Sequence, residues 1–234
     1  MTIYILLLYY NRPNLVRNAL NSILAEEAAY PHLDINTIFI DDGSTLPPPQ
    51  ELLSKLKKIK YINTNHTTQD KLNNNGSHIG KIMNEALEEA PPSSIAIMLC
   101  DDDALYPGYL NTLSIYFTNN PQIQYGYSKI IPFNPETQTP PHVAPSSSSL
   151  NKTGPINPSC QVDASQVAWR TDIHKKYDIW FPWPKTSSLD AAFYHQLQTK
   201  IGPCQPIKTY GQFKAVFPDQ LGNRKHDMYK VKIQ

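Results

Sequence analysis

Three consecutive carboxylates, Asp101, Asp102 and Asp103, stand directly after an apolar run at residues 95–99. Adjacent carboxylates repel one another unless a cation or a bound ligand compensates them. A hard divalent ion, Mn2+ or Mg2+, is the natural partner, because it prefers carboxylate and water oxygens and bridges diphosphate oxygens. A neighbouring carboxylate can then take ribose hydroxyls. Asp41 and Asp42, in Asp41-Asp42-Gly43-Ser44-Thr45, repeat the arrangement after a second apolar run at 35–40. An acid at such a strand tip can hydrogen-bond a ribose or a base N–H. The plainer alternative is that both clusters are solvated turns, where Asp is common. Three acids in a row after a buried strand are more than a turn requires.

The elements that must carry these clusters follow from periodicity. Residues 3–9, 35–40, 60–63 and 95–99 read as short apolar strands. Helical patterns separate them: one from Pro13 through Leu24, one at 50–57, one at 79–90, and one from Tyr106 through Phe117. Alternating strands and helices predict an α/β, Rossmann-like sheet, mixed but mainly parallel, flanked by helices. Each acidic cluster then sits at a strand's carboxyl end, where open α/β sheets bind ligands. A strand is expected at 125–131, followed by a stretch at 132–158 rich in Pro, Ser, Thr and Asn. Such a composition builds no core of its own and predicts a loop that orders on ligand binding. Structure resumes at 161–170, a helix is expected at 189–200, and a basic, aromatic tail follows from 208.

The 234 residues fit a single α/β domain, with 40% hydrophobic and 18% charged residues. A net charge of +1 provides no global field for nucleic acid or anionic membrane. Three cysteines, widely spaced and without a CxxC pair, argue against both a disulfide framework and a zinc site and predict a reducing, cytoplasmic setting, soluble or peripheral to a membrane. The apolar run at 3–8 is too short to span a bilayer, so no integral membrane segment is expected.

Several segments together resemble family 2 glycosyltransferases with the GT-A fold. They are Tyr9-Tyr10-Asn11-Arg12-Pro13 with Asn21-Ser22-Ile23-Leu24, Phe39-Ile40-Asp41-Asp42-Gly43-Ser44-Thr45, and Met98-Leu99-Cys100-Asp101-Asp102-Asp103 before Tyr106-Pro107-Gly108-Tyr109-Leu110. The resemblance implies nucleobase contacts at Tyr9 and Asp42, with Asn11 and Arg12 also at the nucleotide. It makes Asp101 to Asp103 a DxD-type motif, with Asp101 on ribose, Asp103 on the metal, and Asp102 open between the two. Ser188-Leu189-Asp190-Ala191-Ala192-Phe193 resembles the family segment that carries the acceptor base, which implies that role for Asp190. Residues 162–170 resemble a segment beside the acceptor pocket, implying hydroxyl contacts from Asp163 and Gln166, while Trp169, Trp180 and Trp183 could stack on a sugar. Met83 stands where the family often has a phosphate-binding Arg, and His78 or Lys81 are the expected substitutes. Arg224-Lys225-His226 resembles a C-terminal loop in which a His binds metal.

The expectation is one GT-A domain: a nucleotide-sugar half at 1–120, an acceptor half at 121–205, and a tail at 206–234. Its reaction would move a sugar from a nucleoside-diphosphate sugar, UDP-linked, to a hydroxyl of a glycan or related acceptor, with inversion. Two rivals stay open. A nucleotidyltransferase also joins metal-bound carboxylates to a nucleotide-binding sheet, but it usually has a Gly-rich loop after strand one, and Tyr10-Asn11-Arg12-Pro13 has no glycine. A non-catalytic nucleotide-sugar or glycan-binding module would keep the fold without the reaction.

Overall fold

A computed structural model of the chain describes residues 1–66, 78–135, 154–158, 162–182 and 189–217. Strand β1 (Thr2–Tyr9) leads to α1 (Val16–Ala29), β2 (Asp34–Asp41), a single turn α2 (Gln50–Leu53), and β3 (Ile59–Asn63). Helix α3 (His78–Glu88), β4 (Ile95–Cys100), β5 (Ala104–Leu105), α4 (Tyr109–Asn119) and β6 (Tyr125–Phe133) follow. A 3-10 turn (Ala164–Gln166), β7 (Val167–Arg170), α5 (Asp172–Lys176), α6 (Leu189–Ile201) and β8 (Gln205–Ala215) complete the described order.

The strands form one eight-stranded sheet in the order β3-β2-β1-β4-β7-β6-β8-β5. The first four are parallel; β7 pairs antiparallel with β4 and β6, β8 runs parallel to β6, and β5 is antiparallel to β8. Side chains on β4 alternate between two cores, as a strand covered on both faces requires. Ile95, Ile97 and Leu99 join α1 and α4 on one face, while Ala96 and Met98 join α3, Trp169 and α6 on the other. Among the described residues no helix is long and apolar enough to cross a membrane.

The topology positions the chemistry. The chain leaves β1 toward β2 and β3 on one side, and β4 is its neighbour on the other. The crevice beyond the carboxyl ends of β1 and β4 is therefore a topological switch point, the preferred ligand position in such sheets. Asp101 begins where β4 ends, and Tyr10 where β1 ends.

The carboxyl-terminal part departs from expectation. Residues 206–215 are not tail but belong to β8, which pairs with β6 and β5. Strand β6 runs on through Pro132 and Phe133 into the expected loop, because β8 covers it there. Helix α2 stops at Leu53, well short of residue 57. The remainder of the Pro- and Ser-rich loop, residues 136–153, lies outside the described residues, as do Trp183 and His226.

Candidate nucleotide and metal site

The acid triplet is held from two sides by cations of the chain itself. Asp101 Oδ2 accepts the backbone N–H of Tyr10 at 3.0 Å, joining the tips of β4 and β1 across the switch point. Arg12 Nη1 lies 3.2 Å from Asp101 Oδ1 and 3.0 Å from Asp102 Oδ2, and its side chain is about half exposed. Asp103 is fully buried: Oδ1 accepts the N–H of Ala215 at 2.9 Å, and Oδ2 lies 3.1 Å from Lys214 Nζ. Lys214 also reaches Asp163 Oδ1 at 3.3 Å.

Burial governs the protonation of this group. It pushes Asp101 up to about 6, against the opposing pull of the Tyr10 N–H and Arg12. Asp103 is pushed up to about 7 by burial, with Lys214 working against that rise. Burial disfavours the Lys214 charge too, yet Asp103, Cys100 and Asp163 outweigh it and hold the ammonium above its ordinary range. Asp163 stays below the ordinary carboxylate range although burial opposes it, because Lys214 and the Ser165 N–H and hydroxyl favour the anion.

A divalent ion fits this donor set. Ligand atoms of Cys100, Asp102 and Asp103 lie within 4.8 Å of one another. Asp102 is the accessible carboxylate of the three, and its partner is the half-exposed Arg12, which solvent can replace. Asp103 remains within reach of a shared ion, but both of its oxygens already serve β8. The expectation puts Asp103 on the metal and leaves Asp102 open between metal and ribose; in the fold Asp102 is the more accessible of the two.

At the neighbouring tip, Asp41 is buried and turns inward, accepting from Tyr61 Oη at 2.6 Å and from the Ser44 N–H at 2.9 Å. Asp42 turns outward, where His78 Nε2 donates to its Oδ1 at 2.7 Å and Thr64 Oγ1 lies at 3.2 Å. Gly43 between them has φ +64°, and a Cβ there would meet the His66 carbonyl oxygen at 2.2 Å, so only glycine fits the turn.

Five of the residues expected at the ligand are placed as follows. Tyr9 is buried against Phe39, and its hydroxyl donates to the Leu46 carbonyl at 2.6 Å, so the phenol supports the turn from below and cannot face a nucleobase. Asn11 Oδ1 accepts the N–H groups of Thr45 and Leu46 at 2.8 and 2.9 Å, stapling the β1 tip to the Asp-Asp-Gly-Ser turn. Lys81 is exposed and pairs with Glu85 one turn along α3, at 3.7 Å. Gln166 is fully buried, with Oε1 taking the Asp163 N–H and Nε2 donating to the Ser128 carbonyl; its amide has no face toward an acceptor. Trp169 is also fully buried: Nε1 donates to His174 Nε2 at 3.1 Å, and the ring packs on Phe181 and Phe193. Trp180 lies over the His174 ring, with centroids 4.7 Å apart.

Asp190 opens α6 in its first turn. The preceding Leu189 packs so closely on α3 that a Cβ at Gly80 would meet its Cδ1 at 2.6 Å. This brings the α6 amino end beside the start of α3, two residues from His78. Asp163 caps the 3-10 turn through a capping box and meets the triplet through Lys214. Sequence reasoning missed Lys214 and His66, because each acquires its partner only through tertiary contact.

The same fold occurs in solved glycosyltransferases. TarS residues 1–349 of S. aureus superpose with a TM-score of 0.67 at 17% identity, over 92% of this chain and 60% of that one. Glucosyl-3-phosphoglycerate synthase from Mycobacterium tuberculosis, in complex with Mn2+, UDP-glucose and phosphoglyceric acid, superposes with a TM-score of 0.56 at 12% identity, over 94% of this chain and 74% of that one. Mannosyltransferase PcManGT from Pyrobaculum calidifontis, in complex with GDP-Man and Mn2+, gives 0.58 at 12% identity, over 92% and 57%. The chain thus spans about three fifths of the TarS segment, and the shared architecture is GT-A. No curated protein matches the sequence. The family model described as glycosyl transferase family 2 matches residues 4–208, and the chain belongs to that family.

Proposed function

We propose that this chain transfers a sugar from a nucleoside-diphosphate sugar, UDP-linked, to a hydroxyl of a glycan or related acceptor. One observation carries the reading: Asp42, Arg12, Asp101 and Asp102 gather at the tips of β2, β1 and β4, on the topological switch point of the sheet. Family membership supports the reaction class. TarS has been crystallised with UDP and with UDP-GlcNAc, which supports a UDP donor.

In this reading Asp42 takes the base, Asp101 takes ribose hydroxyls, and Arg12 exchanges its carboxylate partners for diphosphate oxygens. Asp102, with Asp103 behind it, would hold Mn2+ or Mg2+, whose charge stabilises the leaving diphosphate. Asp190 deprotonates the acceptor hydroxyl from the first turn of α6. Attack from the face opposite the leaving group inverts the anomeric centre. The first 120 residues supply the donor half, and the unbridged Cys100 and Cys204 are in keeping with a cytoplasmic enzyme.

NMR of the product tests this chemistry. An inverted anomeric configuration, with transfer lost in Asp190→Asn, is expected; retention, or normal transfer by that variant, contradicts it.

A further inference from the structure

We propose that Asp42, His66 and His78 form a second cation site, selective for a borderline transition ion such as Zn2+ over the hard ions suited to the acid triplet. Ligand atoms of the three residues lie within 4.8 Å of one another. His78 Nε2 is 2.7 Å from Asp42 Oδ1, and His66 Nδ1 is 3.7 Å from the same oxygen. The two imidazoles meet edge to face with centroids 4.1 Å apart.

A second observation points to a ligand. Nδ1 of His66, 3.7 Å from Asp42 Oδ1, is buried and has no hydrogen-bond partner among the described residues, and Nδ1 of His78 is without one too, free to carry the proton that its Nε2 gives up. Buried polar atoms are normally satisfied, and a ring nitrogen left without a proton donor is suited to a metal. In a tetrahedral zinc site with bonds of about 2.0–2.1 Å, ligand atoms stand about 3.3 Å apart. The spacing of 3.7 Å is close to this, and the 2.7 Å contact must open by about 0.6 Å to match the tetrahedral spacing. As His78 Nε2 takes the ion, its proton passes to Nδ1 of the same ring.

The fold assembles the set from three directions. Asp42 follows β2, His78 opens α3, and His66 is pressed on the Gly43 turn with its N–H on Thr64 Oγ1 at 3.2 Å. Two imidazoles and one carboxylate, with a fourth position open, suit Zn2+; Mg2+ and Mn2+ favour all-oxygen sites. An ion here would also exclude a nucleobase from Asp42, making Zn2+ an inhibitor competitive with the nucleotide. That consequence rests on the donor placement proposed above, whereas the site itself does not.

Co2+ is the probe, titrated into the full chain and followed by its visible absorption. A saturable tetrahedral band is expected, displaced by Zn2+, indifferent to excess Mg2+, retained in Asp102→Asn and Cys100→Ser, and weakened at least ~10-fold in His66→Ala. The His66 side chain is 30% exposed, and circular dichroism confirms that the variant folds. No band, or one lost with Cys100→Ser and kept in His66→Ala, overturns the site. Calorimetry of UDP with and without Zn2+ separates the two readings: competition in the wild type but not in His66→Ala supports both. An intact Co2+ band with UDP affinity unmoved by Zn2+ overturns the competition and the placement of the base at Asp42.

Discussion

Lys214 Nζ lies 3.1 Å from Asp103 Oδ2 and 3.3 Å from Asp163 Oδ1, so one partly buried ammonium joins β8, the acid triplet and the turn before β7. Removing the lysine leaves the fully buried Asp103 carboxylate uncompensated. Lys214→Met is therefore expected to cost about 3–5 kcal/mol in urea unfolding. Adding Asp103→Leu to that variant should return part of the loss, because the second charge goes with the first. Equal stability of Lys214→Met and wild type would remove Lys214 from the account.

The accessible and the buried acid should separate by experiment. Asp102→Asn is expected to weaken Mn2+ binding about tenfold or more, read from the electron paramagnetic resonance of free Mn2+, with little change in thermal stability. Asp103→Asn should chiefly lower stability, since its carboxylate is internal and paired with Lys214. The reverse pattern would restore Asp103 as the principal ligand.

How much of this was legible beforehand depends on which interactions are local. The tips of β2 and β4 could be read from sequence because each is an uninterrupted apolar run ended by acids, which forces a buried parallel strand and an exposed polar end. Strand β8 could not. Its Lys208, Thr209, Gln212 and Lys214 look like a solvated tail, yet Gln212 is fully buried with Nε2 on the Met98 carbonyl at 2.8 Å. The Lys214 pair spans 111 residues of sequence, which no spacing rule captures. Tyr9, Gln166 and Trp169 are residue types that serve cores and pockets equally, and only packing decides between them.

Trp169 offers a direct check between the two. Trp169→Phe keeps an aromatic in the cluster but loses the bond to His174, so a loss of about 1–3 kcal/mol is expected. The acceptor KM should stay unchanged, because the ring lies in the core. A raised KM at unchanged stability would return Trp169 to the acceptor pocket.

His174 sets an acid limit. Its Nδ1–H donates to the Ile179 carbonyl at 2.7 Å and its Nε2 accepts from Trp169, a neutral tautomer held in the core. Burial pulls its pKa down from 6.5 to about 4. A folded-state value below the unfolded one contributes stability that is complete above pH ~6.5 and disappears as the pH falls toward ~4, roughly 3 kcal/mol in all. Urea unfolding across this window should show the loss in wild type and a flatter profile in His174→Gln. Parallel profiles would contradict it.

The most direct measurement is hydrolysis of a panel of nucleotide sugars by the purified chain, with and without Mn2+, since donor cleavage shows even when the acceptor is missing. The account predicts slow, Mn2+-dependent release of UDP from one UDP-sugar, abolished in Asp102→Asn and Asp101→Asn. Release that ignores the metal and both substitutions, or no binding and no cleavage of any nucleotide sugar, would contradict it.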